Sequence, residues 1–419
     1  MPPLILLTAL LEGLSLTLIQ GYLPLYLRSA LGEPSYLTVA LVVALPALGA
    51  MVASNLWGGL SDVSGRLKPF ILLGLTGYVI ALMGIPAFHT GFSVLLFVGA
   101  ASLLYGTTAP SLKTYATLVK PDRKEFALAS VLMAQSTGWL LGAYGAGGLL
   151  EHGIGSGLRL ALWSCAGVIA LHLIVTSVAL KDLRREPAPA RSHESWAARI
   201  AADLGSLYEN PRLFRLCTLA FFFVAANYIV WGFFSVYMVE HLHSSIRTLR
   251  YSLAASSVLG IISFLYVGFL IRRFKGRLVL AVGITLYLGM YLGVALARSP
   301  VIVGIIYALP LYSLVNVSAN VLASEYSTER QRAGGLGVLN GAYALAMIAG
   351  PVTGGLLADR MGLGAVPWLA MGFIAAAAPV AWFQVRAARR EAVPSAGRLE
   401  SAALEPSGVS DAGTGRKPR

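Results

Sequence analysis

The sequence predicts an all-α, polytopic membrane protein: twelve transmembrane helices in two pseudo-symmetric six-helix bundles. Three observations predict it. Hydrophobic residues make up 57% of the 419 and charged residues 12%, with a mean hydropathy of +0.72. A soluble domain carries about 25% charged residues to cover its surface. Twelve apolar runs are each long enough to cross the roughly 30 Å hydrocarbon core as a helix. Short motifs of the first half also recur in the second, the sequence mark of a duplicated bundle.

In chain order the runs are 4–28, 36–60, 69–88, 91–119, 126–150 and 158–180, then 213–238, 248–271, 278–297, 301–324, 333–357 and 364–386. Several contain Gly and Pro, which helices in lipid tolerate because neighbouring helices satisfy the freed backbone groups. A first bundle over 1–180 is followed by a linker over 181–212, a second bundle over 213–386 and a disordered cytoplasmic tail over 387–419. The linker opens with Lys181-Asp182-Leu183-Arg184-Arg185-Glu186-Pro187, too charged to span, and its Trp196 to Leu207 part has the pattern of a surface-lying helix. The tail is rich in Ser, Gly, Pro and Arg and has too little apolar surface to bury. The repeat is visible in Gly147-Gly148-Leu149-Leu150 of span 5 and Gly354-Gly355-Leu356-Leu357 of span 11. It recurs in Gly65-Arg66-Leu67 after span 2 and Gly276-Arg277-Leu278 after span 8.

A net charge of +13 on one soluble face would suit nucleic acid, but its placement is topological. With both termini cytoplasmic, Lys and Arg on the cytoplasmic segments outnumber those at the outer ends by roughly four to one. The outer set is Arg28, Arg159, Arg247, Arg250, Arg298 and Arg360. The expectation is a multi-pass protein of the plasma (inner) membrane that meets anionic lipid heads and binds no nucleic acid. Cys165 and Cys217 lie in or beside spans and give neither a disulfide framework nor a metal-ligand pattern. No phosphate-binding glycine loop occurs, so neither ATP nor a cofactor is expected, and no acid/base cluster points to an enzyme. The N-terminus lacks the basic flank and cleavage site of a signal peptide, so the first run reads as a retained helix.

The most specific motif is Gly58-Gly59-Leu60-Ser61-Asp62-Val63-Ser64-Gly65-Arg66-Leu67-Lys68-Pro69, a polar turn between two apolar runs. It resembles the signature between the second and third helices of the major facilitator superfamily of transporters. The matching residues are Gly58, Leu60, Ser61, Asp62, Gly65, Arg66 and Lys68, with Gly59 inside the run. A worn copy at Gly268-Arg272-Arg273-Gly276-Arg277 has no acid at the Asp62 position. Pro121-Asp122-Arg123-Lys124-Glu125 after span 4 and Glu325 to Arg332 after span 10 share similar chemistry. The resemblance covers roughly 4–386 and implies two parallel repeats around a central cavity, with secondary transport by alternating access. Asp62 would then meet span 11 and the Arg66/Lys68 cluster when the cavity opens outward, and Glu325 and Arg330 would join a gating network. Two departures stand out. Gly350-Pro351-Val352-Thr353-Gly354-Gly355 looks like a run that superfamily exporters carry in span 5, but here it lies in span 11. Ser102 stands four residues before Gly106, where many proton-driven exporters of the superfamily have an arginine.

Ionisable side chains inside a span are costly in lipid and mark function. Glu12, about eight residues or roughly 12 Å into span 1, shares a polar face with Thr8, Ser15, Tyr22 and Tyr26. Lys113 stands at comparable depth in span 4. The expectation is a Glu12–Lys113 pair facing the cytoplasmic half of the cavity, released by protonation or by a charged substrate. Two other readings stay open: Lys113 can snorkel to lipid phosphates, and Glu12 can be a static packing group bonded to a nearby Ser or Thr. In the second half Asn227 and Trp231 share a face of span 7, and Tyr312, Asn316 and Asn320 a face of span 10. With Gln20, these side chains suit a polar but mostly neutral ligand. The alternative is that Asn316 and Asn320 bond neighbouring helices. His89 and His172 are isolated and read as structural.

The expected function is export of a small drug-like or metabolite solute by a monomer, with protons as a second candidate partner. Transport of a sugar or another neutral polar solute is the alternative within that class. A non-transporting receptor or scaffold is the alternative outside it.

Overall fold

The computed structural model describes residues 2–183, 210–326 and 332–403. Linker residues 184–209, Arg330 and residues 404–419 therefore lie outside the described residues, as do the side chains at Gly59 and Asp62. The first half consists of α1 (Pro3–Ser29), α2 (Tyr36–Ser64), α3 (Lys68–Gly84), α4 (Gly91–Val119), α5 (Lys124–Leu150) and α6 (Ile154–Ala179). The second consists of α7 (Pro211–His241), α8 (Ile246–Phe274), α9 (Gly276–Leu296), α10 (Pro300–Tyr326), α11 (Arg332–Met361) and α12 (Val366–Ala403). Eleven of these pass as membrane spans by length and composition, and α8 makes a twelfth as two segments bent by 50°. The last helix corrects one boundary: α12 continues to Ala403, where a disordered tail is expected from 387. Ala, Arg and Glu of residues 387–392 are strong helix formers, and extending a formed helix avoids the cost of a new nucleus.

Local chemistry sets the helix ends. Ser35, Thr90 and Ser245 cap the starts of α2, α4 and α8 with their side-chain oxygens. The duplication is legible in these caps. Both α2 and α8 have 29 residues and follow a serine cap. Both are followed by a residue at positive φ, Gly65 at 64° and Lys275 at 65°. Glycine adopts a positive φ freely whereas lysine is strained there, so the second copy has lost the residue type best suited to such a turn. Two further spans break in counterpart positions: α4 at Gly106–Thr107 and α10 around Pro310, which has no N–H to donate.

In each half the helices pair alike: α1 on α5, α2 on α4 and α3 on α6, then α7 on α11, α8 on α10 and α9 on α12. Lipid tails are as apolar as leucine, so close backbone approach through small residues supplies the packing energy. A Cβ at Gly13 or Gly138 would overlap the carbonyl oxygen of Gln135 or Leu10, so these two glycines set the α1–α5 distance. The halves meet along α2–α11 and α5–α8. One end of the bundle carries residue 183, Gly65 and the start of α7, and is called the linker end below. The opposite end is called the far end.

Candidate functional site

A cavity of ≈ 310 Å³ lies between the halves, lined by α1 and α5 on one side and α7 to α10 on the other. Gln20, Asn227, Trp231 and Tyr312 line it, as does Trp139. Its wall has amide, hydroxyl and aromatic groups, and none of its lining residues is charged. The aromatic groups hold one another in place. Trp139 of the first half meets Trp231 of the second edge-on at 5.4 Å, and Trp231 stacks on Tyr307 at 6.4 Å. Asn227 donates from Nδ2 to the Tyr287 hydroxyl at 3.0 Å, which fixes the amide's orientation toward the space. Most of the wall belongs to the second half. Trp139, Ser256, Ser257, Tyr287 and Tyr307 had no distinguishing sequence signal, because aromatic and hydroxyl residues are frequent throughout the spans.

The other polar candidates lie elsewhere. Asn316 donates to the Tyr312 hydroxyl at 3.1 Å and Asn320 to the Asn316 carbonyl at 2.8 Å, so α10 satisfies both amides along its own surface. Tyr22 is fully buried and donates to the Ala143 carbonyl. Glu12 is 4% exposed and lies inside the first bundle rather than on the cavity wall. Its neighbours on the same face show where that face points. Thr8 is hydrogen-bonded to His172 of α6 at 2.8 Å, and Ser15 lies 3.7 Å from the Cys165 sulfur of α6. At 100° per residue, Thr17 projects about half a turn away from Thr8 and Ser15, and Thr17 with Gln20 is what α1 presents to the cavity. Lys113 is exposed and makes no ion pair with the buried Glu12, so the expected pair does not form in this state. Ser102, at the position where the resemblance suggests an arginine, fills the gap against Gly49 of α2. His172 also bonds Thr176 at 3.2 Å, the satisfied structural histidine expected.

The far end is closed by charges that cross between halves. Arg28 at the end of α1 reaches both carboxylate oxygens of Glu240 at the end of α7, from Nε at 3.1 and 3.2 Å and from Nη2 at 3.0 Å. Its remaining donors bond the carbonyls of Glu33 and Pro34 and the Tyr36 hydroxyl, and its guanidinium lies 4.2 Å from the Tyr36 ring centre. This uses the planar donor fork for which arginine differs from lysine. Asp359 at the end of α11 accepts from the backbone N–H groups of Tyr36 and Leu37 at the start of α2, at 2.6 and 3.1 Å. On the other flank Glu151 at the α5 end meets Arg250 at 3.1 Å and Arg247 at 3.5 Å, both at the start of α8. The Arg250 Nε lies off the hydrogen-bond direction, so that contact is an ion pair. Sequence reasoning missed this closure, yet a signal was present. Arg28, Arg247 and Arg250 are three of the six basic residues that stand against the charge asymmetry, and each has a cross-half role.

At the linker end, the charged contacts seen among the described residues stay within one half. Arg66 faces Asp182 after α6 at 3.7 Å, and the Lys68 N–H donates to the same carboxylate at 3.4 Å. Ser61 donates to the Arg66 carbonyl at 3.0 Å and closes the turn. Gly58 has no atom within 4 Å of where a Cβ would stand, so its small size is not used in this state. Glu325 is exposed, and Arg330 lies outside the described residues.

The sequence pattern of the Major Facilitator Superfamily matches residues 5–327. The chain belongs to that family. Among curated relatives it is similar to the multidrug resistance protein MdtG of Klebsiella pneumoniae (strain 342), 28% identical over 207 residues and 48% of each chain. It is 31% identical to MdtG of Escherichia fergusonii over 179 residues, 41% of this chain and 42% of that one. The chain thus spans about half the length of the curated relatives it matches. Among solved structures it resembles the nucleoside transporter NupG, in a D323A mutant, with a TM-score of 0.74 at 15% identity over 91% of this chain and 98% of that one. It also resembles a bacterial homolog of the human lysosomal transporter Spinster, inward-facing and occupied, with a TM-score of 0.72 at 15% identity over 92% and 96%. At such identities the likeness speaks for the fold alone.

Proposed function

We propose that this protein is a secondary transporter that exports a small, neutral, partly aromatic organic solute by alternating access. The observation that carries this reading is the uncharged, Trp- and Tyr-lined cavity between the halves beneath a closed far end. Aromatic faces bind planar apolar groups, while Gln20 and Asn227 add the few polar contacts that orient a ligand. Two relatives named multidrug resistance proteins support export over uptake. The charge asymmetry supports a cytoplasmic linker end, with the described state open inward. Transport of a sugar-like neutral solute is the second reading, favoured by the uncharged wall.

Proton coupling is carried by Glu12 in this proposal: buried in the first bundle near Lys113, it can couple proton uptake to movement of α1 without touching the solute. Asp62 at the end of α2 is the acid that closes the linker end in the opposite state, as the resemblance implies. Flux of fluorescent aromatic cations and neutral dyes through vesicles containing the purified protein, with and without a pH gradient, tests the function. Efflux above that of protein-free vesicles is expected for neutral dyes, accelerated by the gradient in wild type but not in Glu12→Gln. Undiminished gradient acceleration in Glu12→Gln removes Glu12 from coupling, and no flux of any solute removes the transporter reading.

A further inference from the structure

The start of α2 at the far end is completed by a residue of the other half. Every helix begins with N–H groups that lack intrahelical partners. Here the Ser35 N–H donates to Glu33 Oε1 at 3.3 Å, and the Thr38 N–H to the Ser35 hydroxyl at 3.3 Å. The two between them, at Tyr36 and Leu37, go to the two carboxylate oxygens of Asp359, and the Ser35 hydroxyl donates to Asp359 at 3.1 Å. A negative charge on a helix N-terminus is also favoured by the helix dipole. Gly355, one turn before Asp359, makes the approach possible: a Cβ there would stand 2.8 Å from the Leu37 Cα and 2.9 Å from the Ala40 Cβ.

The sequence around this contact repeats the linker-end motif. Gly354-Gly355-Leu356-Leu357-Ala358-Asp359 ends α11 as Gly58-Gly59-Leu60-Ser61-Asp62 ends α2, with one residue more between the glycine pair and the acid. Each acid stands two residues before the last residue of its helix, in helices of 29 and 30 residues that pack against each other in opposite directions. A third run, Gly147-Gly148-Leu149-Leu150-Glu151, ends α5, and its acid meets α8 of the other half.

We infer that Asp359 is the far-end lock of this protein: a positioning residue that caps α2 across the interface and so favours the state closed at that end, as the counterpart of the linker-end acid. Opening the far end must lift the end of α11 off the start of α2 and surrender both N–H groups to water. The antiparallel pair thereby carries one acid for each end.

The test uses the full chain in lipid nanodiscs with both native cysteines replaced by alanine and spin labels at introduced cysteines. One label pair replaces His89 and Arg298, exposed far-end sites in the first and second halves, and a second pair replaces Asp122 and Arg272 at the linker end. In Asp359→Asn the far-end distance is expected to lengthen and the linker-end distance to shorten, with the ratio of the two states shifted about fivefold or more. Asp359→Glu is expected to keep the wild-type distribution. A wild-type distribution in Asp359→Asn overturns the lock, and so does broadening of both distances together, which reports a general loss of packing. The distances need no solute, so a failed flux experiment and a failed lock are separate outcomes.

Discussion

The two ends of the molecule use charge in opposite ways. At the far end, acids and arginines of different halves face each other: Arg28 with Glu240, Asp359 with the start of α2, and Glu151 with Arg247 and Arg250. At the linker end, the Arg66 side chain and the Lys68 backbone N–H turn to Asp182 of their own half. The difference shows why a motif and a closure are separate things. The conspicuous motif lies at the end where these contacts stay local, while the closure is built from dispersed residues at the other. Alternating access requires that the contacts at the two ends not be made together, since each set shortens a different edge of the same interface.

Breaking the far-end contacts one at a time sharpens this comparison. The largest effect is expected from Arg28→Ala, which leaves the partly buried Glu240 carboxylate without its bidentate partner. Charged hydrogen bonds contribute roughly 1.5–3 kcal/mol, so the balance of states is expected to move about tenfold to a hundredfold toward far-end opening. The charge-exchanged double variant Arg28→Glu with Glu240→Arg is expected to recover part of it in the same spin-label distances. Next, Trp231→Ala removes the edge-on contact to Trp139 and the stack on Tyr307. An aromatic face stacked on an aromatic solute contributes about 0.5–1.5 kcal/mol beyond its area, so, if Trp231 is a wall of the site, the KM for dye efflux is expected to rise about tenfold without a change in the end-to-end distances. A shift in those distances would make Trp231 a hinge contact rather than a wall of the site.

Glu151→Gln is expected to act more weakly, below about fivefold on the state ratio, because its contact with Arg250 is an ion pair without a hydrogen bond and its other partner, Arg247, is largely exposed. Its effect is expected to fade at high salt. Smallest of all is Asp182→Asn. Its contact with Arg66 is long and lies within one half, so the state ratio is expected to stay within about twofold of wild type. A large shift from Asp182→Asn would mean that the linker-end cluster already takes part in closure in this state.

Particular residues show how far the sequence could be read. The spans were legible to within a few residues at most ends because hydrocarbon thickness fixes helix length. Asn227 and Trp231 were legible as cavity residues because their four-residue spacing puts both on one face of α7, and the structure brings both to the wall. Glu12 was legible as unusual but not in its direction. A polar face names a stripe on a rod, and only packing of α1 against α6 turned that stripe into the first bundle. Trp139, Tyr287 and Tyr307 gave no signal, since aromatic residues are frequent throughout the spans and spacing alone does not say which of them face the space between the halves.

The sequence alone determined the family motif at Gly58 to Lys68, the helical fold, the duplication and the sidedness of charge. Each depends on local composition or spacing, which lipid and helix geometry read without reference to distant residues. Tertiary structure alone decided which end is closed, that Asp359 completes the start of α2, and that Glu12 stands away from the cavity. Those outcomes join residues far apart in the chain, such as Arg28 with Glu240, 212 positions on. They depend on the rotation and tilt of whole helices, which a run of apolar residues leaves free.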